Sequence, residues 1–279
     1  ESLAAANQEF QAPLLLPEWL PTAMNRKRRA ARQVLYETID HLIAQRRAQG
    51  DAADSGDLLS MLLLSRDEAG DRMSDDEVRD QLVTLFVAGH ETTSNALTWT
   101  WYLLSQHPAE EARLHAELEA VLGGRPPALA DLPHLSYTLQ VIKEAMRLYP
   151  PAWVVNVRRA AADTMLGPYA VRQGDSLWLS PFVMHRRPAF FPDPERFDPD
   201  RWTPERERAL PKFAYMPFGG GPRVCIGNGF ALMEAHLIVA AVAQRYRLRL
   251  RPSHPIDLNA QITLSNHGGM PMTAERRTY

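Results

Sequence analysis

The chain has 279 residues, 45% of them hydrophobic, which is enough to build a sizeable core and excludes general disorder. A formal net charge of −2 gives no overall attraction to nucleic acid or to an anionic membrane. The one cysteine, Cys225, excludes an intrachain disulfide and a cysteine-rich zinc site, and it favours a reducing, cytoplasmic location. No apolar run approaches the roughly 18 residues that a membrane segment needs.

The first part of the chain is predicted to be helical after an opening loop. Residues 1–21 are apolar and interrupted by prolines, which predicts the loop. Apolar residues recur at helical spacing between residues 25 and 47, and residues 57–64 predict a second, short helix. The basic run at residues 26–29 is typical of a solvated helix face, and we assign it no function.

A long central helix is the most informative predicted element. Ser74 and Glu77 form a capping box, and the helical pattern continues without a proline to Ser105. At about 1.5 Å per residue this helix would be roughly 45 Å long. A polar belt at residues 89–95 interrupts its apolar pattern. Burying such a belt is costly, so the pattern indicates a functional site in the middle of the helix.

The rest of the chain predicts more helices and little sheet. Further helices are expected at residues 110–122, 135–148 and 228–246, with short strands at 154–157 and 176–179 and a strand-like C-terminal tail. Twelve of the 22 prolines lie between Pro150 and Pro222, which excludes long helices and central strands there. The predicted fold class is mainly α with minor β.

Three common motifs are absent. His90-Glu91 begins the HExxH motif of zinc proteases, but Ser94 stands where its second histidine belongs. Three glycines at 219–221 suggest a phosphate loop, but no Gly-Lys-Ser/Thr follows and Val224 replaces the last glycine of GxGxxG. A Cys/His hydrolase would pair Cys225 with one of nine histidines, and no spacing selects one of them.

Cys225 lies in an unusual loop, FGGGPRVCIG, from Phe218 to Gly227. Glycines on both sides allow a tight turn and a close approach to a flat ligand. The helix predicted to start near Asn228 favours a thiolate over a thiol at its N-terminus. This pattern indicates a loop that presents sulfur to a ligand, whereas a lone cysteine elsewhere is more often a small buried apolar residue.

With this loop the chain resembles the C-terminal portion of a cytochrome P450, a haem-thiolate monooxygenase. The family signature F-x-x-G-x-R-x-C-x-G is met by Phe218, Gly221, Arg223, Cys225 and Gly227. Three further motifs of the family occur in the expected order: AGHETT, KEAMR and FPDPERFDPDRW. The resemblance implies a mainly α cytochrome P450 fold that lacks the N-terminal helices, and a single haem-thiolate domain over residues 1–279.

The resemblance also implies a haem b cofactor. Cys225 corresponds to the axial ligand, whose thiolate would donate electron density that favours O–O cleavage. Arg223 and Arg158 correspond to the arginines that pair with the haem propionates. The full set of implied cofactor-binding residues is Ala88, Arg158, Phe218, Gly219, Arg223, Cys225 and Gly227.

Two groups of polar residues acquire roles from the same resemblance. Glu91 and Thr92 correspond to the acid–alcohol pair that relays protons to bound oxygen, and a bond from Thr92 to the carbonyl of Ala88 would open a groove beside Gly89. The structural triad is expected to comprise Glu144, Arg147 and Arg201. Since Glu144 and Arg147 are three residues apart, they share a helix face, and the triad would stabilise the cysteine loop.

The implied substrate pocket is apolar. Ala152, Val154, Val155 and Leu264 match positions that line pockets in the family. These residues favour a hydrophobic substrate such as a fatty acid, a terpenoid or a polyketide.

The resulting hypothesis is a monooxygenase that hydroxylates or epoxidises an apolar substrate with O2. No flavin or iron–sulfur motif is visible, so a separate ferredoxin or flavoprotein reductase is the expected electron donor, with neither nucleic acid nor a membrane segment involved. Two alternatives stay open at this point: a peroxide-using or isomerising haem-thiolate enzyme, and a truncated haem-binding remnant without catalysis. Intact Glu91 and Thr92 argue against the first of these.

Overall fold

A computed structural model describes residues 17, 19–50 and 55–277. The chain forms two compact units, of which the first ends at His90 and the second begins at Glu91. The single domain expected over residues 1–279 stays a prediction, and most of the loop expected at residues 1–21 lies outside the described residues. None of the described helices combines the length and apolar composition needed to cross a bilayer.

The first unit contains helix α1 (Ala23–Ala48), helix α2 (Leu58–Leu64) and the beginning of helix α3 (Asp75–Gln106). The hydroxyl of Thr22 caps α1 by accepting a hydrogen bond from the amide of Asn25 at 3.0 Å. These helices begin and end close to their predicted limits. Their apolar faces form a small buried cluster of Ile39, Ile43, Leu63 and Val78.

Helix α3 confirms the predicted long central helix, with 32 residues. The Ser74 amide donates to Oε2 of Glu77 at 2.8 Å, and the Glu77 amide donates to Oγ of Ser74 at 3.3 Å, which completes the capping box. The helix ends at Gln106 because Pro108 is the first residue of the next helix, a position that tolerates proline.

The second unit adds five helices to the C-terminal half of α3 among the described residues: α4 (Pro108–Leu122), α5 (Ser136–Leu148), α6 (Pro181–Met184), α7 (Pro204–Ala209) and α8 (Asn228–Arg245). Side chains from α3, α4, α5 and α8 form the main core, and several are inaccessible to solvent, among them Leu104, Leu114, Leu118, Val141, Ile142 and Val239. This core fixes the scaffold on which the site residues lie.

The N-terminus of α5 is capped from another helix. The N-cap residue of α5, Leu135, supplies no side-chain cap. Instead, the Glu117 carboxylate on α4 accepts hydrogen bonds from the amides of Tyr137 and Thr138 at 2.6 and 2.8 Å and from the Thr138 hydroxyl at 2.7 Å. Since the first amides of a helix have no partner within it, Glu117 satisfies two of them and fixes α5 against α4.

The described strands form four antiparallel two-stranded sheets. Their limits are β1 (Val155–Arg159), β2 (Thr164–Leu166), β3 (Tyr169–Val171), β4 (Ser176–Leu179), β5 (Tyr246–Leu250), β6 (Leu258–Ala260), β7 (Leu264–Asn266) and β8 (Met272–Arg276). The predicted strands pair as β1 and β4, with Val155 opposite Leu179. The β2–β3 hairpin was not predicted, and the C-terminal tail contains four strands where one short extended segment was expected. The fold class, mainly α with minor β, is confirmed.

The proline-rich segment between β4 and α8 has the irregular structure that its composition predicts. Its regular pieces are short: α6, α7 and two single-turn 3₁₀ helices, Pro199–Trp202 and Gly221–Arg223. Several of these pieces begin with proline, which is favourable at the first position of a helix. The segment contacts α5 near its start and forms the cysteine loop at its end.

Candidate functional site

The cysteine loop exposes its thiol to solvent. The Cys225 amide donates to the carbonyl of Phe218 at 3.0 Å, and the Gly219 amide donates to the carbonyl of Met216 at 3.0 Å. Gly219 and Gly221 have φ angles of +73° and +69°, a region that favours glycine. The loop thus closes on itself through its backbone and leaves the sulfur on its surface.

The glycines of the loop differ in how much space surrounds them. A Cβ added at Gly220 would lie 2.5 Å from Cε1 of Phe213, so the packing of that ring requires glycine. A Cβ added at Gly227 would lie 3.9 Å from the Cys225 sulfur, an ordinary contact. A Cβ at Gly219 would lie 3.8 Å from Val155, which shows that the loop neighbours the start of β1.

The cysteine loop and the start of α8 carry exposed apolar side chains, and the loop also carries an exposed arginine. Val224, Ile226 and Phe230 are 46%, 91% and 65% exposed. Phe218 is half-buried, and Arg223 is exposed at the end of its 3₁₀ helix. Arg158 is also exposed and lies opposite Leu177 in the β1–β4 pair.

The structure brings the expected triad together. Glu144 and Arg147 are both fully buried, and two hydrogen bonds of 2.7 and 2.8 Å join the guanidinium to the carboxylate. Nε of Arg201 lies 3.3 Å from Oε1 of Glu144. The paired geometry offsets the cost of removing two charges from water.

Neutral groups form the remaining hydrogen bonds of this buried ion pair. Glu144 also accepts hydrogen bonds from the Asp198 amide and the Trp202 indole, each at 3.0 Å. Arg147 donates to three carbonyls, those of His185, Pro194 and Arg196, at 3.0, 2.7 and 3.0 Å. The pair therefore fixes α5 against the segment that leads to the cysteine loop.

His185 is a buried site residue that sequence reasoning missed. Its ring is fully buried, and burial lowers its pKa to about 3, so the imidazole is neutral at ordinary pH. It contacts the carbonyl of Arg147 and the amide of Met216. The only sequence signal would have been its position among nine histidines, and nothing in the spacing distinguishes it.

The two candidate residues for proton relay lie in the middle of α3. Glu91 and Thr92 are half-buried, whereas Ala88, in the first unit, is exposed. The hydroxyl of Thr263 donates to Oε1 of Glu91 at 2.6 Å, and Nδ2 of Asn95 donates to Oγ1 of Thr263 at 3.1 Å. Thr263 lies in the β6–β7 hairpin and was not anticipated from the sequence.

The structure links the two segments that carry the expected pocket residues. The Leu264 amide donates to the carbonyl of Pro151 at 2.9 Å, and the Trp153 indole donates to the carbonyl of Gln261 at 2.7 Å. The Trp99 indole of α3 donates to the carbonyl of Leu264 at 2.9 Å. Of the four expected residues, the half-buried ones are Ala152, Val154 and Val155, whereas Leu264 is only 1% exposed.

Comparison with known proteins identifies the family. The profile of the family described as Cytochrome P450 matches residues 2–270. The chain belongs to the cytochrome P450 family.

Several relatives come from Streptomyces. A cyclooctatin synthase of Streptomyces melanosporofaciens is 46% identical over 92% of this chain and 56% of the relative. A pentalenene oxygenase of Streptomyces avermitilis is 43% identical over 84% of this chain and 51% of the relative. The chain spans about half the length of the curated relatives that it matches.

Solved structures agree with this assignment. Cyanobacterial CYP120A1 with bound retinoic acid has a TM-score of 0.88 and 29% identity, with 98% of this chain and 62% of that chain covered. The cytochrome P450 CYP102L1 has a TM-score of 0.87 and 28% identity, with 99% of this chain and 65% of that chain covered. The cytochrome P450 fold is therefore confirmed.

The cysteine loop fits haem, the cofactor of this family. An exposed thiol can ligate iron, and the exposed Val224, Ile226 and Phe230 offer apolar surface to a flat macrocycle. The spacing at Gly227 leaves the sulfur uncrowded. Arg223 supplies a positive charge suited to a carboxylate side chain.

Proposed function

We propose that the whole protein is a haem monooxygenase that hydroxylates or epoxidises an apolar substrate. For hydroxylation the balance is R–H + O2 + 2 electrons + 2 protons → R–OH + H2O. The observation that carries this proposal is the exposed Cys225 thiol on a loop closed by its own backbone and fixed behind by a buried ion pair. Haem b, when bound, supplies the iron at which O2 is reduced and cleaved.

The residues of this chain would hold the cofactor and tune it. Cys225 would bind as a thiolate, and the backbone of the loop would orient the sulfur. Arg223 and Arg158 would pair with the propionates. Phe218, Gly219 and Gly227 would contact the ring or leave room for it, and Phe218 would limit the access of water to the sulfur.

Glu91 and Thr92 would deliver the protons that oxygen reduction consumes. A carboxyl group takes up and releases a proton, and a neighbouring hydroxyl passes it on. Both residues are half-buried and adjacent in the middle of α3, which is compatible with this role. Their presence also favours oxygen reduction over a peroxide-using or isomerising reaction, which consumes no protons from this pair.

We propose a terpenoid as the substrate class. The names of similar proteins refer to pentalenene, cyclooctat-9-en-7-ol and carotene, all isoprenoid compounds. The apolar character of Ala152, Val154 and Val155 supports the same class, because a hydrocarbon skeleton offers few groups for hydrogen bonding. Leu264 would support the pocket wall from behind.

The electrons would come from a separate protein. A ferredoxin or a flavoprotein reductase is the proposed donor.

The test is the carbon monoxide difference spectrum of the reduced, full-length protein. Thiolate ligation predicts a strongly red-shifted Soret band for the wild type and its loss in Cys225→Ser. An unshifted wild-type band would contradict the proposed ligand. Titration with pentalenene and with a fatty acid of similar size then tests the substrate class, since only the terpenoid is expected to shift the Soret band of the oxidised enzyme at low concentration.

A further inference from the structure

A hydrogen-bond chain joins the central helix to the β6–β7 hairpin. Asn95 donates to Thr263, and Thr263 donates to Glu91 over 2.6 Å, the length of a charge-assisted O–H···O⁻ bond. Glu91 and Asn95 are four residues apart and share one face of α3. Thr263 therefore bridges two side chains of the central helix from a segment 172 residues away in sequence.

Thr263 is fixed independently of Glu91. The residue is only 6% exposed. The next residue, Leu264, is held by Pro151 through its amide and by Trp99 through its carbonyl, each at 2.9 Å. Thr263 is thus a rigid point against which the flexible carboxylate of Glu91 is oriented.

The bond is made to one oxygen of Glu91 only. Oε1 accepts from Thr263, whereas Oε2 has no hydrogen-bond donor within the described part of the chain. Asn95 turns the Thr263 hydroxyl toward the carboxylate, because the lone pairs of Oγ1 face the amide and the hydrogen faces away. The arrangement fixes Oε1 against Thr263 and leaves the other carboxylate oxygen without a donor from the described residues.

We propose that Thr263, oriented by Asn95, is a positioning residue that holds Glu91 in one rotamer for proton delivery. The inference rests on the proposed function, in which Glu91 is the acid of the relay. A small misplacement of a reacting group can reduce a rate about 10²-fold, so fixing this side chain has a measurable effect.

The test compares Thr263→Val with Thr263→Ser in the intact enzyme. Valine has the shape of threonine but neither donates nor accepts, whereas serine keeps the hydroxyl. We expect the amount of product formed per electron pair to fall roughly 10-fold in Thr263→Val. This loss is smaller than the ~10²–10⁴-fold loss expected when a proton donor itself is removed. The remaining electrons leave with O2 and two protons as hydrogen peroxide. Thr263→Ser is expected to restore coupling.

Crystal structures of the variants supply a readout that does not depend on turnover. Glu91 is expected in one conformation in wild type and Thr263→Ser, and in several in Thr263→Val. Ser265→Ala is the matched control, because it removes the 3.2 Å bond from Asn259 in the same hairpin without touching Glu91. Ser265→Ala should keep full coupling. Thr263→Ala replaces Thr263→Val in both measurements if the valine variant does not accumulate as holoenzyme.

Glu91→Gln separates this inference from the function on which it rests. If Glu91→Gln leaves product per electron pair unchanged, Glu91 is not the acid, and both its proposed role and this inference are wrong. If Glu91→Gln uncouples the reaction but Thr263→Val does not, or if Glu91 keeps one conformation in Thr263→Val, the positioning role alone is overturned.

Discussion

The amide of Met216 donates a hydrogen bond to Nε2 of the buried His185 at 2.9 Å. Because Nε2 accepts, Nδ1 of the neutral ring carries the hydrogen, and it faces the Arg147 carbonyl at 3.3 Å. Met216 lies two residues before Phe218, the first residue of the cysteine loop. One neutral imidazole therefore connects the buried ion pair of α5 to the entrance of that loop.

This arrangement predicts a pH-dependent stability. Burial lowers the pKa of His185 to about 3, compared with about 6.5 in an unfolded chain. Between these values the unfolded state binds one more proton, so the free energy of unfolding falls as the pH falls from about 6.5 toward 3. In His185→Gln the slope over this range should be shallower by up to about 1.4 kcal/mol per pH unit.

Urea unfolding from pH 7 to pH 4 measures this slope. His134→Gln, at an exposed position, is the control and should keep the wild-type slope. Equal slopes for His185→Gln and wild type would show that folding does not lower the pKa of His185.

The buried ion pair predicts a large loss of stability when one partner is removed. In Glu144→Gln, the amide would turn a donor toward groups that all donate to Glu144: Arg147, Arg201, Asp198 and Trp202. We expect a cost of about 3–5 kcal/mol in the free energy of unfolding. Arg208→Ala removes a solvent-exposed ion pair and should leave the urea midpoint unchanged. A midpoint for Glu144→Gln close to that of Arg208→Ala would refute the prediction.

Two glycines of the cysteine loop should respond differently to alanine. Gly219 has φ +73°, so Gly219→Ala should cost about 1–2 kcal/mol even though the space for a Cβ exists. Gly227 has φ −88° and room for a Cβ beside the sulfur, so Gly227→Ala should cost less in the haem-free protein. Thermal unfolding of the two apoprotein variants measures the difference, and the reverse order would contradict the backbone conformation described here.

The cap on α5 gives a prediction far from the cysteine. Glu117→Ala leaves the amides of Tyr137 and Thr138 without their acceptor, and we expect a loss of about 1–2 kcal/mol. Glu119→Ala, at an exposed position on the same helix, should have little effect. Chemical denaturation of both variants measures this difference in stability. Equal denaturation midpoints for Glu117→Ala and Glu119→Ala would contradict the prediction.

Local spacing explains what the sequence could predict. Glu144 and Arg147 share a helix face by their separation alone, and the capping box of Ser74 and Glu77 is a pattern of four residues. The β2–β3 hairpin was missed because three-residue strands are too short to show alternation. Arg201 was predicted as the third member of the triad from the family motif, because no local spacing rule connects it to Glu144.

Contacts between distant segments explain what the sequence could not predict. Thr263 bonds to Glu91 across 172 residues, and His185 reaches Met216 across 31. No spacing rule connects either residue to its partner, so only the folded chain shows the contact. The roles of Cys225, Glu91 and Thr92 in a reaction stay predictions that the spectra and variants above test.

The bond from the Trp99 indole to the Leu264 carbonyl, 165 residues apart, also constrains biosynthesis. A ribosome that adds about 5–20 residues per second needs on the order of 10–30 s to travel from one to the other. During that time the Trp99 indole lacks its native hydrogen-bond acceptor, the Leu264 carbonyl. The native contact between the middle of the central helix and the C-terminal hairpin can therefore form only after Leu264 has been synthesised.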